Sequence, residues 1–497
     1  MLKLLTSEQT RLTDKHTIQN EPVSSVDLME RAAQAFVAAF QRNYPQKETT
    51  ISIYCGTGNN GGDGLAIARL LDQEGYLNLS VKVIRFSSRL TLDFLENFDR
   101  IKTLPIAVTE IKETDPFPVE DAEVIIDALL GSGLNKPLEH EWRELVIWLK
   151  SLNRIVVSVD IPTGFKSEGP FAEKDLSLRS DLTITFQRPK INFLLPESAP
   201  YIDRFEVVEI GLDEEFIQLQ DSQFQLLTTT DIRERIIKRK SFDHKGTFGH
   251  ALVIAGAPET MGAALLCAEA VMKTGAGLTT ACIPAEGLVA LNTRLPEVMA
   301  ALRVNGELPK ELNWEKYAVL AMGPGVGTSV ASKAILEETI KSFTKPIVFD
   351  ADALNLLAKN PDLLAMIPEG SILTPHIKEF DRLFGDHSSW WARLETGMLQ
   401  AERLKSYIIL KNRYTIIITP AGQCIFNPTG TPAMGSGGMG DVLTGIIASF
   451  LAQGYASESA ALLGVFLHGK AGEDVGKPVV IASEVIQQLQ LTLKEFL

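Results

Sequence analysis

The stretch ISIYCGTGNNGGDGLAIARLL, residues 51–71, decides the fold class of the first part of the chain. A strand, a Gly-rich turn and a helix in this order are typical of the βα units that build a parallel sheet. The glycines let the backbone approach a ligand closely, and free N–H groups at the helix start favour a phosphate. A tight turn without a ligand is the alternative, but Asn59, Asn60 and Asp63 inside the turn favour a site. The glycine spacing is not the GxGxxG of dinucleotide folds.

The same alternation of apolar runs and helical segments extends outward along the chain and predicts an α/β protein. In the first series we expect strands at 51–55, 81–86, 124–130, 155–161 and 182–186, and helices at 63–74 and 140–151. In the second series we expect strands at 251–255, 279–283, 319–322, 346–350, 372–374 and 407–411. The acidic, polar stretch 211–230 separates the two series. We therefore predict two domains, residues 1–220 and 221–497, the first of them a Rossmann-like α/β/α sandwich.

The composition limits the classes of partner. With 497 residues, the chain exceeds what one hydrophobic core usually organises, and its formal net charge of -14 disfavours nucleic acid and anionic membranes. The four cysteines include no CxxC pair, which argues against a zinc cluster or a dense disulfide framework. No apolar run is long enough for a signal-peptide core near the start or for a membrane span later. We expect a cytoplasmic protein with a small-molecule partner.

Two further strand ends carry polar residues. The segment IIDALLGSGLNKP places Asp127 and residues 131–137 after one strand, and VVSVDIPTG places Asp160 and Thr163 after another. Ligands of open α/β sheets bind at the carboxyl ends of strands, so these segments and the Gly-rich turn are expected to converge on one crevice. An aspartate at a strand end can instead be a helix cap or a purely structural residue.

These motifs, GNNGGDG, DALLGSGL and DIPTG, resemble the NAD(P)H-hydrate epimerase family over roughly residues 1–215. The resemblance implies a substrate site for hydrated NAD(P)H formed by Asn59, Asn60, Gly61, Gly62, Asp63, Gly131, Ser132, Gly133, Leu134, Asn135, Lys136, Pro137 and Asp160. It also implies a potassium ion held by Asn60, Asp127 and Thr163, whose oxygen atoms suit a hard cation. Thr163 stands where the family usually has serine and keeps the hydroxyl, although a backbone carbonyl could serve instead. Asp160 is the candidate to move a proton or steer water at the hydrated carbon.

A second chemical signal is TPAMGSGGMGDVLTGIIASFLAQG, residues 431–454, where a glycine-dense loop passes into an apolar helix. The N–H groups of Gly438, Met439 and Gly440, with the helix dipole, form a suitable anion hole for a transferring phosphoryl group. Asp441 then stands where a hydroxyl would attack; a simple helix cap is the alternative. The motif resembles the GxGD signature of ribokinase-like enzymes.

The neighbouring motifs narrow this resemblance to the ADP- or ATP-dependent NAD(P)H-hydrate dehydratase family, over about residues 225–497. They are HKGTFGHALVIAG (244–256), GAGL (275–278), MGPGVG (322–327), DADALN (350–355), TPHIKEF (374–380) and LKNRYT (410–415). The resemblance implies that Ala263, Gly325, His376 and Asp441 contact the hydrated dinucleotide. It places the adenine nucleotide, with Mg²⁺, at Lys411, Asn412, Arg413, Tyr414, Thr415, Gly438, Met439 and Gly440, and assigns catalysis to Asp441.

Two residues of this second half depart from the family pattern, and two others have a second interpretation. The family commonly has glycine at the position of Asn412 and asparagine at that of Thr431, so the nucleotide loop is expected to differ in shape. His376 could be a neutral histidine hydrogen-bonded at a strand end. Lys411 could be a solvated lysine at a strand end, and a nearby phosphate is the other interpretation.

Both resemblances in this order on one chain are typical of the bifunctional enzymes that repair hydrated NADH and NADPH. They imply that the first domain interconverts the R and S hydrates, and that the second dehydrates the S form through phosphorylation and elimination of phosphate. They also imply a homo-oligomer. The alternatives are a ribokinase-like small-molecule kinase fused to an accessory domain, and a non-catalytic nucleotide sensor. The expected partners are NAD(P)H hydrates and ADP or ATP.

Overall fold

The computed structural model describes residues 1–133, 136–172 and 175–497. The chain divides into two compact units. The N-terminal unit is Lys3–Ser222, and the C-terminal unit is Gln223–Leu497 together with Met1–Leu2. Leu134 and Asn135, which the sequence assigns to the first substrate site, lie outside the described residues.

The first part of the chain alternates strands and helices. Its elements are β1 (Leu2–Lys3), α1 (Ser7–Asn20), α2 (Ser25–Asn43), β2 (Thr50–Cys55), α3 (Asn59–Gln73), β3 (Asn78–Arg85), α4 (Leu92–Ile101), β4 (Ala107–Lys112), β5 (Val124–Ala128), α5 (His140–Ser151), β6 (Ile155–Val159), β7 (Leu182–Phe186), β8 (Phe205–Val208) and α6 (Glu214–Leu219).

The N-terminal unit is built on a seven-stranded sheet in the order β4-β3-β2-β5-β6-β7-β8, in which all described pairs are parallel. Successive side chains of a strand point to opposite faces of the sheet. Ile53 of β2 packs with α2, α3 and α4 on one face, whereas its neighbour Tyr54 packs with α5 on the other. Because strand order reverses at β2, its neighbours β3 and β5 leave a crevice at the carboxyl ends.

The second part of the chain continues the alternation. Its elements are β9 (Phe224–Leu226), α7 (Thr229–Arg235), β10 (His250–Ile254), α8 (Met261–Thr274), β11 (Leu278–Pro284), α9 (Leu288–Arg294), β12 (Met299–Arg303), β13 (Val319–Met322), α10 (Val330–Ser342), β14 (Ile347–Phe349), α11 (Asp352–Lys359), α12 (Pro361–Leu364), β15 (Ile372–Leu373), α13 (Ile377–Phe384), α14 (Trp390–Leu404), β16 (Tyr407–Leu410), β17 (Ile416–Ile418), β18 (Cys424–Phe426), α15 (Met439–Ala452), α16 (Ser457–Asp474) and α17 (Ala482–Lys494).

The second sheet has the order β1-β9-β18-β17-β16-β15-β14-β13-β10-β11-β12. The strands from β16 to β12 run parallel, and β17 forms antiparallel pairs with β16 and β18. Val253 of β10 packs with α8, α15 and α16 on one face, and Leu252 packs with α10 and α11 on the other. Helices therefore cover both faces of the parallel region, as parallel sheets require.

The α/β class and the parallel sheets that the sequence predicts are confirmed, and each predicted strand is present within a few residues of its expected bounds. The expected start of the helix at residue 63 is wrong. α3 begins four residues earlier, at Asn59, so the Asn- and Gly-rich segment is the first helical turn and not a loop. Packing against β2 and β5 overrides the low helix propensity of glycine here.

Helix α15 lies very close to α8. A Cβ built on Gly445 of α15 would lie 2.3 Å from the carbonyl oxygen of Cys267 and 2.7 Å from the Cβ of Ala270. No side chain fits at this distance, so glycine fixes the approach of the helix that carries Asp441.

We predict that Gly445→Ala lowers the free energy of unfolding of the C-terminal unit by roughly 1–3 kcal/mol, because the added methyl group has no room. The matched control is Gly262→Ala on α8, where a Cβ meets nothing within 4 Å. This control should gain roughly 0.5–1 kcal/mol from helix propensity. Urea unfolding, monitored through hydrogen exchange of the amides of α8 and α15, measures both changes in the free energy of unfolding. Equal stability of the two variants would contradict the packing role.

Candidate functional site

A cavity of about 770 Å³ lies at the carboxyl ends of β2, β5 and β6 in the N-terminal unit. Of the residues that the sequence predicts for this site, the structure places eight around the cavity: Asn59, Asn60, Asp63, Gly131, Ser132, Gly133, Pro137 and Asp160. The expected convergence of three strand-end segments on one crevice is therefore observed. Gly61, Gly62 and Lys136 are described but do not line this cavity.

The start of α3 faces this cavity. Gly58 is its N-cap residue, with an extended backbone and no side-chain cap. The first N–H groups of the helix therefore lack intrahelical acceptors and can bind an anion. Gly61 and Gly64 serve packing: a Cβ on Gly61 would lie 1.9 Å from the Gly56 carbonyl oxygen, and one on Gly64 would lie 2.5 Å from the Ala128 Cβ. The glycines thus hold the helix start against the strands, a cause that the sequence pattern alone does not separate from ligand approach.

Asp127 and Thr163 form a buried hydrogen-bonded pair. The Thr163 hydroxyl donates to Asp127 Oδ1 at 2.6 Å, and its backbone N–H donates to Oδ2 at 2.8 Å. The Ser158 hydroxyl and the Leu129 N–H also donate to this carboxyl group, at 3.0 and 3.3 Å. Burial raises the pKa of Asp127, and these hydrogen bonds oppose the shift. The pair links β5 to the loop after β6.

Asn60 is the third residue of the predicted ligand set, and its buried amide is the observation that supports a hard cation. Its Nδ2 atom has no hydrogen-bond partner among the described residues. The oxygen and nitrogen atoms of an amide are assigned from their hydrogen-bond partners. A cation at the position now given to Nδ2 would favour the flipped amide, with the oxygen facing the ion. Within the described ranges, no group of three His, Cys, Asp or Glu side chains could hold a metal ion. Amide, hydroxyl and carboxylate oxygens from separate loops are the donors that remain, and they suit a hard cation.

Asp160 sits in strained backbone directly after β6. Its φ is +63°, which is unusual for a residue other than glycine and is often found at functional sites. Its Oδ1 accepts from Lys190 Nζ at 2.6 Å, from the Phe186 N–H at 3.0 Å and from the Thr185 hydroxyl at 3.2 Å. Lys190 lines the same cavity and was not predicted from the sequence.

Two more carboxyl groups line the cavity, Asp63 on α3 and Asp14 on α1. Burial and the charge of Asp160 raise the pKa of Asp14 to about 6. The same two causes raise the pKa of Asp63 well above its ordinary value. Asp14 was not predicted, because no glycine or strand end marks it in the sequence.

A cavity of about 460 Å³ in the C-terminal unit is lined by six residues of the predicted nucleotide site: Lys411, Asn412, Arg413, Thr415, Met439 and Gly440. Tyr414 and Gly438 are described but do not line it. Three buried polar atoms around the cavity, Asn412 Oδ1, Asn412 Nδ2 and His468 Nε2, have no partner in the described part of the chain. Such atoms are rare in folded proteins and suit a cavity that takes a hydrogen-bonding ligand. Thr431, the other departure from the family, also lines the cavity.

Asp441 is the third residue of α15 and lies near a buried ion pair. Asp350 Oδ1 accepts from Lys411 Nζ at 2.9 Å, and its Oδ2 accepts from the Thr444 hydroxyl at 2.9 Å. Lys411 and these hydrogen bonds lower the pKa of Asp350 against the effect of burial. Burial and the charge of Asp350 raise the pKa of Asp441 to about 7. Lys411 is thus paired with a buried carboxyl group and only 21% exposed, which disfavours its interpretation as a simple solvated lysine.

The residues predicted to contact the dinucleotide come after strands of the second sheet. His376 caps α13: its Nδ1 accepts from the backbone N–H groups of Lys378 and Glu379 at 3.1 and 3.3 Å. Burial and the charge of Lys411 lower the pKa of His376, so the ring is neutral at pH 7. Gly325 has φ +61°, and its carbonyl accepts from the Thr260 hydroxyl at 2.6 Å, directly before α8 and Ala263.

Comparison with known proteins places both halves of the chain. Residues 251–491 match a family model described as NAD(P)H-hydrate dehydratase, and residues 25–192 match one described as YjeF-related protein N-terminus. The bifunctional NAD(P)H-hydrate repair enzyme of Moorella thermoacetica is 31% identical over 518 residues, which cover 99% of this chain and 96% of that protein. The chain belongs to the bifunctional NAD(P)H-hydrate repair enzyme family.

Further matches agree with this membership. The bifunctional NAD(P)H-hydrate repair enzyme of Escherichia coli K12 is 31% identical and covers 93% of this chain and 88% of that protein. A crystal structure of a ribokinase-like superfamily protein from Enterococcus faecalis is 29% identical, with a TM-score of 0.50, and covers 56% of this chain and 98% of its own. The predicted enzyme family, its two activities and the ribokinase-like fold are therefore confirmed.

The cysteines and the helices of this NAD(P)H-hydrate repair enzyme bear on disulfides and on membrane spans. Its four cysteines are buried free thiols. None of the helices in the described ranges has both the length and the apolar composition that crossing a bilayer requires.

We predict that Asp441→Asn stabilises the C-terminal unit by an amount that grows with pH. Because the pKa of Asp441 is raised from 3.8 to about 7, the folded state binds a proton more tightly than the unfolded state. Wild-type stability therefore falls relative to the variant as pH rises through this window, by at most on the order of 4 kcal/mol. Urea unfolding at several pH values measures the difference, with exposed Asp362→Asn as the control. A constant difference would contradict the shifted pKa.

Proposed function

We propose that the N-terminal unit, residues 1–220, interconverts the R and S hydrates of NADH and NADPH. We further propose that the C-terminal unit, residues 221–497, dehydrates the S hydrate with ADP or ATP. The observation that carries this proposal is a pair of cavities, each at the carboxyl edge of its own sheet and each beside buried carboxyl groups. Family membership of the whole chain supports the assignment of one activity to each cavity.

The dehydration follows from the chemistry of the damaged cofactor, which carries a hydroxyl group on its reduced nicotinamide ring. Hydroxide is a poor leaving group, and phosphorylation turns it into phosphate. Asp441 takes the proton of the hydroxyl group as its oxygen attacks the terminal phosphorus of the nucleotide. Phosphate then leaves, a ring proton is lost, and the dihydropyridine is restored. A pKa of about 7 suits a base that works near neutral pH.

The remaining residues of this site bind and orient. The N–H groups of Gly438, Met439 and Gly440 stabilise the transferring phosphoryl group. Lys411 to Thr415 hold the adenine nucleotide, and Ala263, Gly325 and His376 position the hydrated dinucleotide. Gly440 lies close to the ion pair of Asp350 and Lys411, because a Cβ there would lie 3.3 Å from both Asp350 Oδ2 and Lys411 Nζ. Mg²⁺ would arrive on the nucleotide, held mainly by phosphate oxygens and water, and would neutralise phosphate charge.

In the N-terminal site, the phosphates of the hydrate lie at the start of α3, along Asn59 to Asp63, and the nicotinamide ring lies between residues 131–137 and Asp160. Asp160 moves a proton or steers water at the hydrated carbon. A potassium ion would be held by oxygen atoms of Asn60, Asp127 and Thr163 and would link the start of α3 to the loop that carries Asp160. The free thiols of all four cysteines suit the reducing cytoplasm, and we propose a homo-oligomer there.

The direct test of this function incubates the full chain with hydrated NADH and either ADP or ATP, while absorbance of recovered NADH and release of phosphate are followed. We predict that Asp441→Asn loses about a hundredfold or more of the dehydration rate, because an amide cannot accept the hydroxyl proton. Epimer exchange should stay near the wild-type rate.

Each alternative gives a different result in this test. A stable phosphorylated product without recovery of NADH would indicate a kinase, and nucleotide binding without turnover would indicate a sensor. If Asp441→Asn kept more than about a tenth of the dehydration rate, its role as a base would be wrong.

We also predict that Asp127→Ala slows epimerisation strongly and weakens its dependence on K⁺, while dehydration of the S hydrate stays unchanged. Removing this carboxyl group removes both the bonds to Thr163 and a ligand of the ion. Epimer exchange is measured by chromatography in K⁺ and in a buffer with a large organic cation. Equal wild-type rates in the two buffers would remove the ion from the mechanism and leave Asp127 a structural residue.

A further inference from the structure

Two of the carboxyl groups that line the cavity of the N-terminal unit, Asp160 and Asp14, lie in different surroundings. Asp160 follows β6 at the carboxyl edge of the sheet, whereas Asp14 comes from the middle of α1, far away in the sequence. We propose that Asp14 is a second catalytic residue of this site and acts as the acid partner of Asp160 in epimerisation. The proposal rests on the epimerase function proposed for this unit.

The surroundings of Asp160 hold one of its two carboxyl oxygens. Asp160 forms an ion pair with Lys190, whose side chain is only 8% exposed. Three donors converge on Oδ1, and Oδ2 accepts no hydrogen bond from the described residues. An ionised carboxylate with one oxygen held and the other available is suited to accept a proton from a water molecule.

The surroundings of Asp14 raise its pKa to about 6, first through burial and then through the charge of Asp160. Its carboxyl group is partly buried, and within the described ranges it makes neither a salt bridge nor a side-chain hydrogen bond. Asp160, Lys190 and Asp63 on α3 interact electrostatically with it. The other charged or titratable residues that line the same cavity are Arg11 on its own helix, Arg89, Glu139, His140 and Glu141. Asp160 opposes ionisation of Asp14, and Lys190, already paired with Asp160, only partly offsets this. Environments that push two carboxyl pKa values apart identify an acid and a base.

A structural role does not account for Asp14. Aspartate is a poor residue inside a helix, and here it lies in the middle of the 14-residue α1. It does not cap this helix, because Thr6 does so in a capping box with Gln9. A partly buried aspartate without a partner lowers the stability of the helix. Such losses of stability are common at residues that activity requires.

The reaction gives each residue one proton transfer. Hydration places the hydroxyl group on the ring carbon next to the ring nitrogen, whose lone pair assists departure. Asp14 donates its proton to the hydroxyl oxygen, the C–O bond breaks, and water and a ring cation form. A second water adds to the opposite face of this carbon and gives its proton to Asp160. The two carboxyl groups then exchange protons with solvent through the open cavity, and nothing is oxidised or reduced.

The test measures epimer exchange by chromatography, corrected for the uncatalysed rate, for the full-length wild type, Asp14→Asn and Asp14→Glu. We expect Asp14→Asn to lower kcat/KM about a hundredfold or more. Wild-type kcat/KM should fall as pH rises through about 6, the pKa of Asp14, because the acid then loses its proton. Asp14→Asn should lack this limb, and Asp14→Glu should keep it with part of the activity. Wild-type epimerisation in ¹⁸O-labelled water should exchange the hydroxyl oxygen with solvent.

Two controls separate this role from misfolding. Asp99→Asn on α4 makes the same chemical change at a site with a 77% exposed side chain and should leave epimerisation unchanged. Dehydration of the S hydrate by the same samples should also stay unchanged. If Asp14→Asn kept the wild-type pH limb or more than about a tenth of the rate, Asp14 would not be the acid. Absence of any wild-type epimer exchange would instead overturn the epimerase function itself, and this proposal with it.

Discussion

Close approach of backbone to backbone at the carboxyl edge of each sheet is the constraint on which both sites depend. In the N-terminal unit, a Cβ on Gly56 would lie 2.0 Å from the carbonyl oxygen of Leu129. In the C-terminal unit, a Cβ on Gly323 would lie 1.8 Å from the carbonyl oxygen of Asp350. Only glycine tolerates such distances. The approach draws strand ends together, so that N–H groups and carboxyl groups from distant segments share one small volume.

The same packing buries carboxyl groups beside each cavity, and burial together with neighbouring charges shifts the pKa values of Asp14 and Asp441. Beside each cavity one carboxyl group is paired with a lysine, Asp160 with Lys190 and Asp350 with Lys411. A second carboxyl group nearby, Asp14 or Asp441, feels the negative charge of the first and has a raised pKa. Both units thus place a lysine-paired carboxyl group beside one whose pKa is raised, to about 6 for Asp14 and to about 7 for Asp441. Unpaired buried carboxyl groups cost stability, and such costs are common where activity needs them.

The strands that the sequence did not predict share a physical cause. The central strands of a parallel sheet are buried on both faces and appear as continuous apolar runs. β4 and β12 are the last strands at one edge of each sheet and expose part of their residues, and β9, β17 and β18 have only three residues each. The partly exposed β4 lacks a continuous apolar run, and the three-residue strands are shorter than the roughly four to eight residues that typically identify a strand. Similarly, α3 was predicted to begin too late, because the packing of its glycines against the strands is invisible in the sequence.

The sequence by itself determined the α/β class, the strand-end segments that carry Asp127 and Asp160, and the Gly-rich loop that leads into the helix of Asp441. Each of these motifs is continuous in the chain, and its residue types reflect local geometry. Only the tertiary structure decided that Asp14 and Lys190 face Asp160. The physical reason is that protonation depends on burial and on the nearest charges. In a folded chain these are contributed by segments far apart in sequence, such as the Lys411 that lies 61 residues from Asp350.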